Sequence, residues 1–195
     1  MSSVSIRSQR VIAPYDKPSE SITIRQLSAL EFVALLPELV DLFLETVNGG
    51  SPLGFLAPIT RATVRDYLIS LLPEVEAGSR LVLIAYSNNV VVGSGQLALS
   101  RRSNSPHRAE LERLFVERAS RGRGIGRSLM SGLHSVARQN GRTLILLNTR
   151  RGEPAEAFYK GLGYREVGVI PGWTIGAEGE RYDHVTLYLE LTPVN

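Results

Sequence analysis

Residues 111–116 form an apolar run, 121–128 a glycine-rich turn, 124–140 an amphipathic segment and 144–147 a second apolar run, in close succession. A strand, a helix and a strand in that order make a crossover unit, and a crossover of this length joins strands that run parallel. The other apolar runs are linked by short turns, which give antiparallel neighbours. The chain is therefore read as a mixed sheet flanked by helices. With 195 residues, 43% of them hydrophobic, it can bury a substantial core in one domain.

The turn inside the crossover carries chemistry as well as shape. Gly122, Gly124 and Gly126 leave backbone N–H groups unshielded, and Arg118, Arg121, Arg123 and Arg127 add full positive charges. Ile125 and Ser128 open the helix, whose dipole contributes roughly half a positive charge at that end. Together these features form a cradle for a phosphate or pyrophosphate. The dinucleotide fingerprint G-x-G-x-x-G does not fit, because Arg127 stands at its last position. Nor does the P-loop, because Arg121 stands five residues before Gly126 where a glycine is required.

The pattern that does fit is R-x-x-G-x-G, from Arg121 through Gly124 to Gly126. It resembles the coenzyme A pyrophosphate loop of the GCN5-related N-acetyltransferase (GNAT) superfamily. A second stretch, Glu153-Pro154-Ala155-Glu156-Ala157-Phe158-Tyr159-Lys160-Gly161-Leu162-Gly163-Tyr164, resembles that family's short helix ending in F-Y-x-x-x-G-Y. The resemblance covers residues 80–191 well and 22–79 more loosely. It implies an α/β fold of the α+β type, with about six to seven strands in a mixed sheet, about four helices and a splay between the fourth and fifth strands.

Walking the chain gives the elements in order. Residues 22–25 alternate as a short strand. Ser28 and Glu31 form a capping box for a helix bearing Leu36, Leu39, Val40, Phe43, Leu44 and Val47 on one face, with Pro37 kinking or splitting it. Residues 48–54 are a loop, and Thr60 caps a second helix. Strands at 81–86 and 90–99 flank an asparagine turn, and a third strand covers 109–116. The run 144–147 reads as a strand buried on both faces. Pro154 starts a short helix that ends at Gly161 or Gly163. Final strands at 164–170 and 182–191 are joined by a glycine-rich loop at 171–181. Residues 1–20 read as a poorly ordered tail and 21–195 as a single N-acetyltransferase domain.

The resemblance also implies residue roles, with acetyl-CoA as cofactor. Backbone groups of Leu114, Phe115 and Val116 would lie along the pantetheine arm. Arg121, Gly122, Arg123, Gly124, Ile125, Gly126, Arg127 and Ser128 would surround the pyrophosphate, with Ala155, Tyr159, Lys160 and Asn148 also in reach. Tyr159 is the candidate acid for the departing thiolate, and the Val116 N–H the candidate oxyanion donor. An amine with a pKa near ~10 must lose a proton before it can attack. Glu110 and Glu112, two residues apart and on one strand face, are candidate bases. Several relatives have aspartate where this chain has Asn148, an amide that cannot serve as a base, so that duty moves to Glu112 or to solvent. Phe55 and Trp173 are candidate walls for the acceptor, and Glu178, Glu180 and Asp183 candidate attractors for its charge.

Residues 169–173 and 183–188 resemble the small-molecule branch that includes tabtoxin-resistance-type acetyltransferases. The expected acceptor is thus a small-molecule amine, with neither nucleic acid nor membrane as partner, in a cytoplasmic monomer or homodimer. The chain has no cysteine, which excludes disulfides and a cysteine-linked acetyl intermediate, and His107, His134 and His184 are too scattered to suggest a metal site. No run approaches the ~18–20 apolar residues of a membrane span. Two other readings remain open at this level: a degenerate GNAT domain that binds coenzyme A as a regulator, and an arginine-rich nucleic-acid module, given a net charge of +3.

Overall fold

A computed structural model describes residues 21–192; the tail expected at 1–20 lies outside the described residues. The elements are β1 (Ile22–Gln26), α1 (Ala29–Ala34), α2 (Leu36–Asn48), α3 (Arg61–Ser70), α4 (Leu72–Glu76), β2 (Arg80–Ser87), β3 (Val90–Leu99), β4 (Arg108–Val116), α5 (Ile125–Gln139), β5 (Leu144–Arg150), α6 (Pro154–Lys160), β6 (Arg165–Ile175) and β7 (Arg181–Glu190). A short 3-10 turn at Arg118–Ser120 precedes the glycine loop. The strands form one sheet in the order β1-β2-β3-β4-β5-β7-β6, and β4 with β5 is its parallel pair. The mixed α/β architecture is as expected. Among the described residues there are six α-helical segments where about four were expected, because a proline in the first turn starts a new helix twice, at Pro37 and at Pro73.

Local signals explain most boundaries. The Ser28 side chain accepts the Glu31 N–H while Glu31 reaches back to the Ser28 N–H, closing the capping box. Asn88 and Asn89 both have positive φ, 51° and 64°, the geometry of a tight hairpin turn. The Thr60 hydroxyl accepts the Thr63 N–H at the start of α3.

Two apolar layers enclose the sheet. On one face α5 sets Leu129, Met130, Leu133 and Ala137 against Leu83, Leu97, Leu111, Ile145, Leu147 and Leu187, and Tyr159 of α6 joins this layer. On the other, α1–α4 pack Phe32, Phe43, Val64 and Leu68 over Val82, Ile84 and Phe115 of the first strands. Among the described residues, no helix packs this second face of the half of the sheet made by β5, β7 and β6. Hence Ile145 and Leu147 are buried while Leu144 and Leu146 are only half-buried, which corrects the expectation of a strand buried on both faces.

A second correction concerns 171–181, expected as a loop. β6 continues to Ile175, with Thr174 and Ile175 paired to Tyr182 and Arg181. Pro171 and Gly172 fall in a register break between Ile170 and Thr174, so neither costs a ladder bond, and the Gly172 N–H donates to Asp183.

His134 of α5 is half-buried and lies 3.0 Å from the Tyr164 hydroxyl. Burial, reinforced by the Arg138 charge, pulls its pKa down to about 4. The unfolded chain takes up this proton near the ordinary value of ~6.5, so stability should fall as pH drops from there towards 4 and be unaffected above it. Discounted for partial exposure, the loss is about 1–2 kcal/mol. Urea unfolding of His134→Gln should show that pH slope flattened; an unchanged slope would assign it elsewhere.

Candidate active site

The glycine loop meets α5 at a bare helix end. Gly122 and Gly124 have φ of 77° and 80°, a left-handed conformation costly for other residues, and a Cβ at either would meet nothing within 4 Å. Gly124 is the N-cap and offers no side chain to the first-turn N–H groups. Those donors therefore face open space at the positive end of a 15-residue helix. Two loop arginines are already oriented. Arg121 Nε donates to the Val116 carbonyl at 3.1 Å and its terminal nitrogen reaches Ser51 at 3.4 Å, while Arg123 donates to Ser87 Oγ at 3.2 Å.

Beside this loop the sheet opens. β4 pairs with β5 only over Arg108–Glu110 against Leu144–Leu146. Beyond that point β4 remains paired to β3 as far as Val116, and β5 to β7 as far as Arg150. Each strand thus keeps its outer ladder and, among the described residues, leaves its inner edge, from Leu111 and Leu147 onward, without a strand partner. A bulge accompanies the opening: Gln96 faces Glu112 and Ser94 faces Phe115, so Arg113 and Leu114 share the place of one residue. Arg113 pays for this with a φ of 49°. Unpaired backbone edges inside a fold call for an added partner with alternating donors and acceptors.

The expected site residues group unevenly around this gap. Tyr159 is buried, 8% exposed, and packs edge-on to Phe158 and Tyr164. Burial alone pushes its pKa well above the usual tyrosine value, so it is protonated at neutral pH. Leu114 and Val116 pack on the α5 side, whereas Phe115 turns into the α1–α4 core. Ala155 is exposed in the first turn of α6. Lys160 is tied to Glu156 at 2.7 Å and Glu166 at 2.8 Å, which offsets its charge locally.

Glu110 is exposed. Glu112 is half-buried and accepts from Arg80 at 2.9 Å. Arg80 is itself buried and also donates to Glu74 at 2.7 Å and Gln96 at 3.1 Å. Removing the cation would strand these groups, so Arg80→Met should cost about 2 kcal/mol, discounted because both carboxylates keep some water. Adding Glu112→Gln should recover part of that loss in denaturant unfolding; a fully additive double variant would argue against the pairing.

On the opposite lip, Asn148 is exposed and its Oδ1 accepts from the Thr186 hydroxyl at 2.7 Å, which directs its amide N–H groups elsewhere. Phe55 is half-buried against Phe43 and Tyr67. Trp173, 51% exposed, stacks on His184. Of the three candidate acids, Asp183 of β7 accepts from the Gly172 N–H and Glu180 from the Tyr182 hydroxyl, so both have local structural work. Reading the sequence missed Arg80, Arg113 and Tyr67. The available signal was a charge at the head of one apolar run and in the middle of another. Among the described residues no cluster of His, Asp or Glu could hold a metal ion, and no helix is long and apolar enough to cross a membrane.

A family profile described as "Acetyltransferase (GNAT) family" matches residues 49–164, which include the gap, the loop and α6. The chain belongs to the acetyltransferase (GNAT) family. Within the GNAT family it is similar to N-alpha-acetyltransferase 80 of Mus musculus, 42% identical over 76 residues, covering 39% of this chain and 23% of that one. It is also similar to an uncharacterised N-acetyltransferase of Methanocaldococcus jannaschii, 38% identical over 66 residues, 33% of this chain and 29% of that one. These matches span about a quarter of the relatives' own length.

Solved structures share the fold over most of the chain. A ribosomal-protein-alanine N-acetyltransferase from Brucella melitensis superposes with a TM-score of 0.71 at 22% identity, over 87% of this chain and 99% of that one. The structure of yncA from Salmonella typhimurium with its cofactor acetyl-CoA gives 0.69 at 20% identity, over 88% and 94%.

Proposed function

We propose that this GNAT domain is an N-acetyltransferase that moves an acetyl group from acetyl-CoA directly to the primary amine of a small molecule, with both bound at once. The observation that carries this reading is the pair of unpaired strand edges opening beside a bare helix N-terminus. The residues present fit the cofactor: N–H donors from Gly124 to Arg127 and the charges of Arg121 and Arg123 suit a diphosphate, and the strand edge from Leu114 to the Val116 N–H suits the amides of a pantetheine arm. Acetyl-CoA supplies an acetyl group already activated as a thioester.

The chain's own groups would divide the remaining work. Tyr159, held protonated by burial, would give its proton to the departing sulfur. The Val116 N–H would donate to the oxygen on which negative charge develops. Glu112 has one oxygen on Arg80, and its other would receive the proton from the amine. Asn148, anchored by Thr186, would orient a bound group with its amide N–H pair. With no cysteine in the chain, transfer through a cysteine-bound acetyl is excluded.

The resemblance of residues 169–173 and 183–188 to tabtoxin-resistance-type enzymes supports a small amine, including an amino-acid-derived toxin, in a cytoplasmic monomer or homodimer. The relatives named for N-alpha-acetylation and for ribosomal-protein alanine favour a second reading, a peptide α-amine. Thermal-shift measurement with acetyl-CoA, then thiol release over amino acids, polyamines, aminoglycosides and peptides, tests both. Stabilisation with turnover of free amines supports the first reading, and turnover of peptides alone the second. Stabilisation without thiol release from any amine would instead support a non-catalytic coenzyme A binder, and salt-sensitive oligonucleotide binding without stabilisation a nucleic-acid module.

A further inference from the structure

The cofactor loop, α5 and Tyr159 occupy one side of the sheet, so an acceptor meeting the gap comes from the other. On that side, at the bulge, stands Arg113. Its guanidinium lies over the Tyr67 ring, 5.5 Å from the centroid, and against the backbone of Gly54 in the α2–α3 loop, where a Cβ would come within 2.9 Å of Nη2. Its Nε is buried without a hydrogen-bond partner, and so is the Tyr67 hydroxyl. Arg113 lies close enough to act on the Tyr67 hydroxyl both as a charge and as a weak side-chain donor, but no hydrogen bond of full geometry satisfies that hydroxyl or the Arg113 Nε. Glu112, the carboxylate whose charge reaches Tyr67, gives one oxygen to Arg80 and bonds neither the Tyr67 hydroxyl nor the Arg113 Nε.

Buried polar groups without partners are uncommon in folded proteins, and each requires an explanation. Here a guanidinium and a phenol share the same lack beside a strained bulge at the mouth of the gap. A guanidinium fork matches a carboxylate in plane and spacing, and a phenol adds one more donor, while Gly54 and the Tyr67 ring hold the guanidinium in place. A polycationic acceptor would meet repulsion from Arg113.

We infer that Arg113 and Tyr67 form a carboxylate-binding subsite, so that the acceptor is an amine carrying a carboxylate near its nitrogen, as a free α-amino acid does. This rests on the acetyltransferase reading above and narrows its substrate class.

The test compares free amino acids with their matched amides in the thiol-release assay. The acids should be preferred about tenfold or more in kcat/KM. Arg113→Gln should reduce kcat/KM on the acids roughly 10- to 100-fold and on the amides less than about twofold, as loss of a charge-assisted hydrogen bond implies. Acetyl-CoA KM should be unchanged. Arg113→Lys should recover part of the preference, and Tyr67→Phe, which keeps the ring, should lose roughly threefold to tenfold. Equal use of acids and amides, or equal damage to both by Arg113→Gln, overturns the subsite.

If no amine is acetylated, the enzyme reading fails and binding decides the subsite alone. N-acetylglycine and its methylamide are then titrated onto the coenzyme A-loaded protein. Binding of the acid alone, abolished in Arg113→Gln, upholds the subsite, and equal or absent binding of the pair overturns it.

Discussion

Tyr159→Phe is expected to lower kcat on the order of 100-fold, the scale of a single well-placed general acid, while leaving acetyl-CoA affinity within about twofold. The phenol hydroxyl is the only atom removed. The ring keeps its edge contacts with Phe158 and Tyr164 in the α5 layer, so the fold should tolerate the change. Because burial holds the Tyr159 pKa above the usual tyrosine range, the wild-type rate should show no loss from tyrosine ionisation between neutral pH and about 10. Steady-state thiol release across pH, with cofactor affinity by calorimetry, separates a proton donor from a packing residue. Normal turnover in the variant would remove Tyr159 from the acid role.

Gly124→Glu should weaken acetyl-CoA binding about 100-fold. A carboxylate placed ~5 Å from a phosphate charge costs about 3 kcal/mol at an effective dielectric near 20. That charge would stand at the helix end whose bare donors would otherwise hold the anion. The left-handed backbone at Gly124, φ 80°, adds roughly 1–2 kcal/mol of strain for any side chain. Gly124→Ala separates the two effects: it should lose stability by the strain alone and keep most of its affinity. Calorimetric titration of both variants reads the difference, and an unchanged Kd for Gly124→Glu would place the diphosphate elsewhere.

Much of this arrangement was legible in the chain. Gly122 and Gly124 marked the loop because their conformation is intrinsic to glycine, and capping at Ser28 and Thr60 depends on residues three apart. Even the bulge left a trace. Inward apolar positions fall at Ala109 and Leu111, then at Leu114 and Val116, a change of parity that only an inserted residue explains. Less readable was the environment of each charge. Glu112 was assigned to a strand face correctly, but its partner Arg80 is 32 positions away, and no local pattern couples them.

The sequence by itself determined the crossover, the glycine cradle and the helix caps, because each rests on contacts or backbone preferences spanning a few residues. Tertiary structure alone decided where β4 and β5 part, that Arg80 serves the carboxylates, and that Arg113 and Tyr67 meet with donors unused. Those outcomes depend on which distant strands and loops come to lie side by side. Desolvation and charge pairing take their values only after that packing is complete.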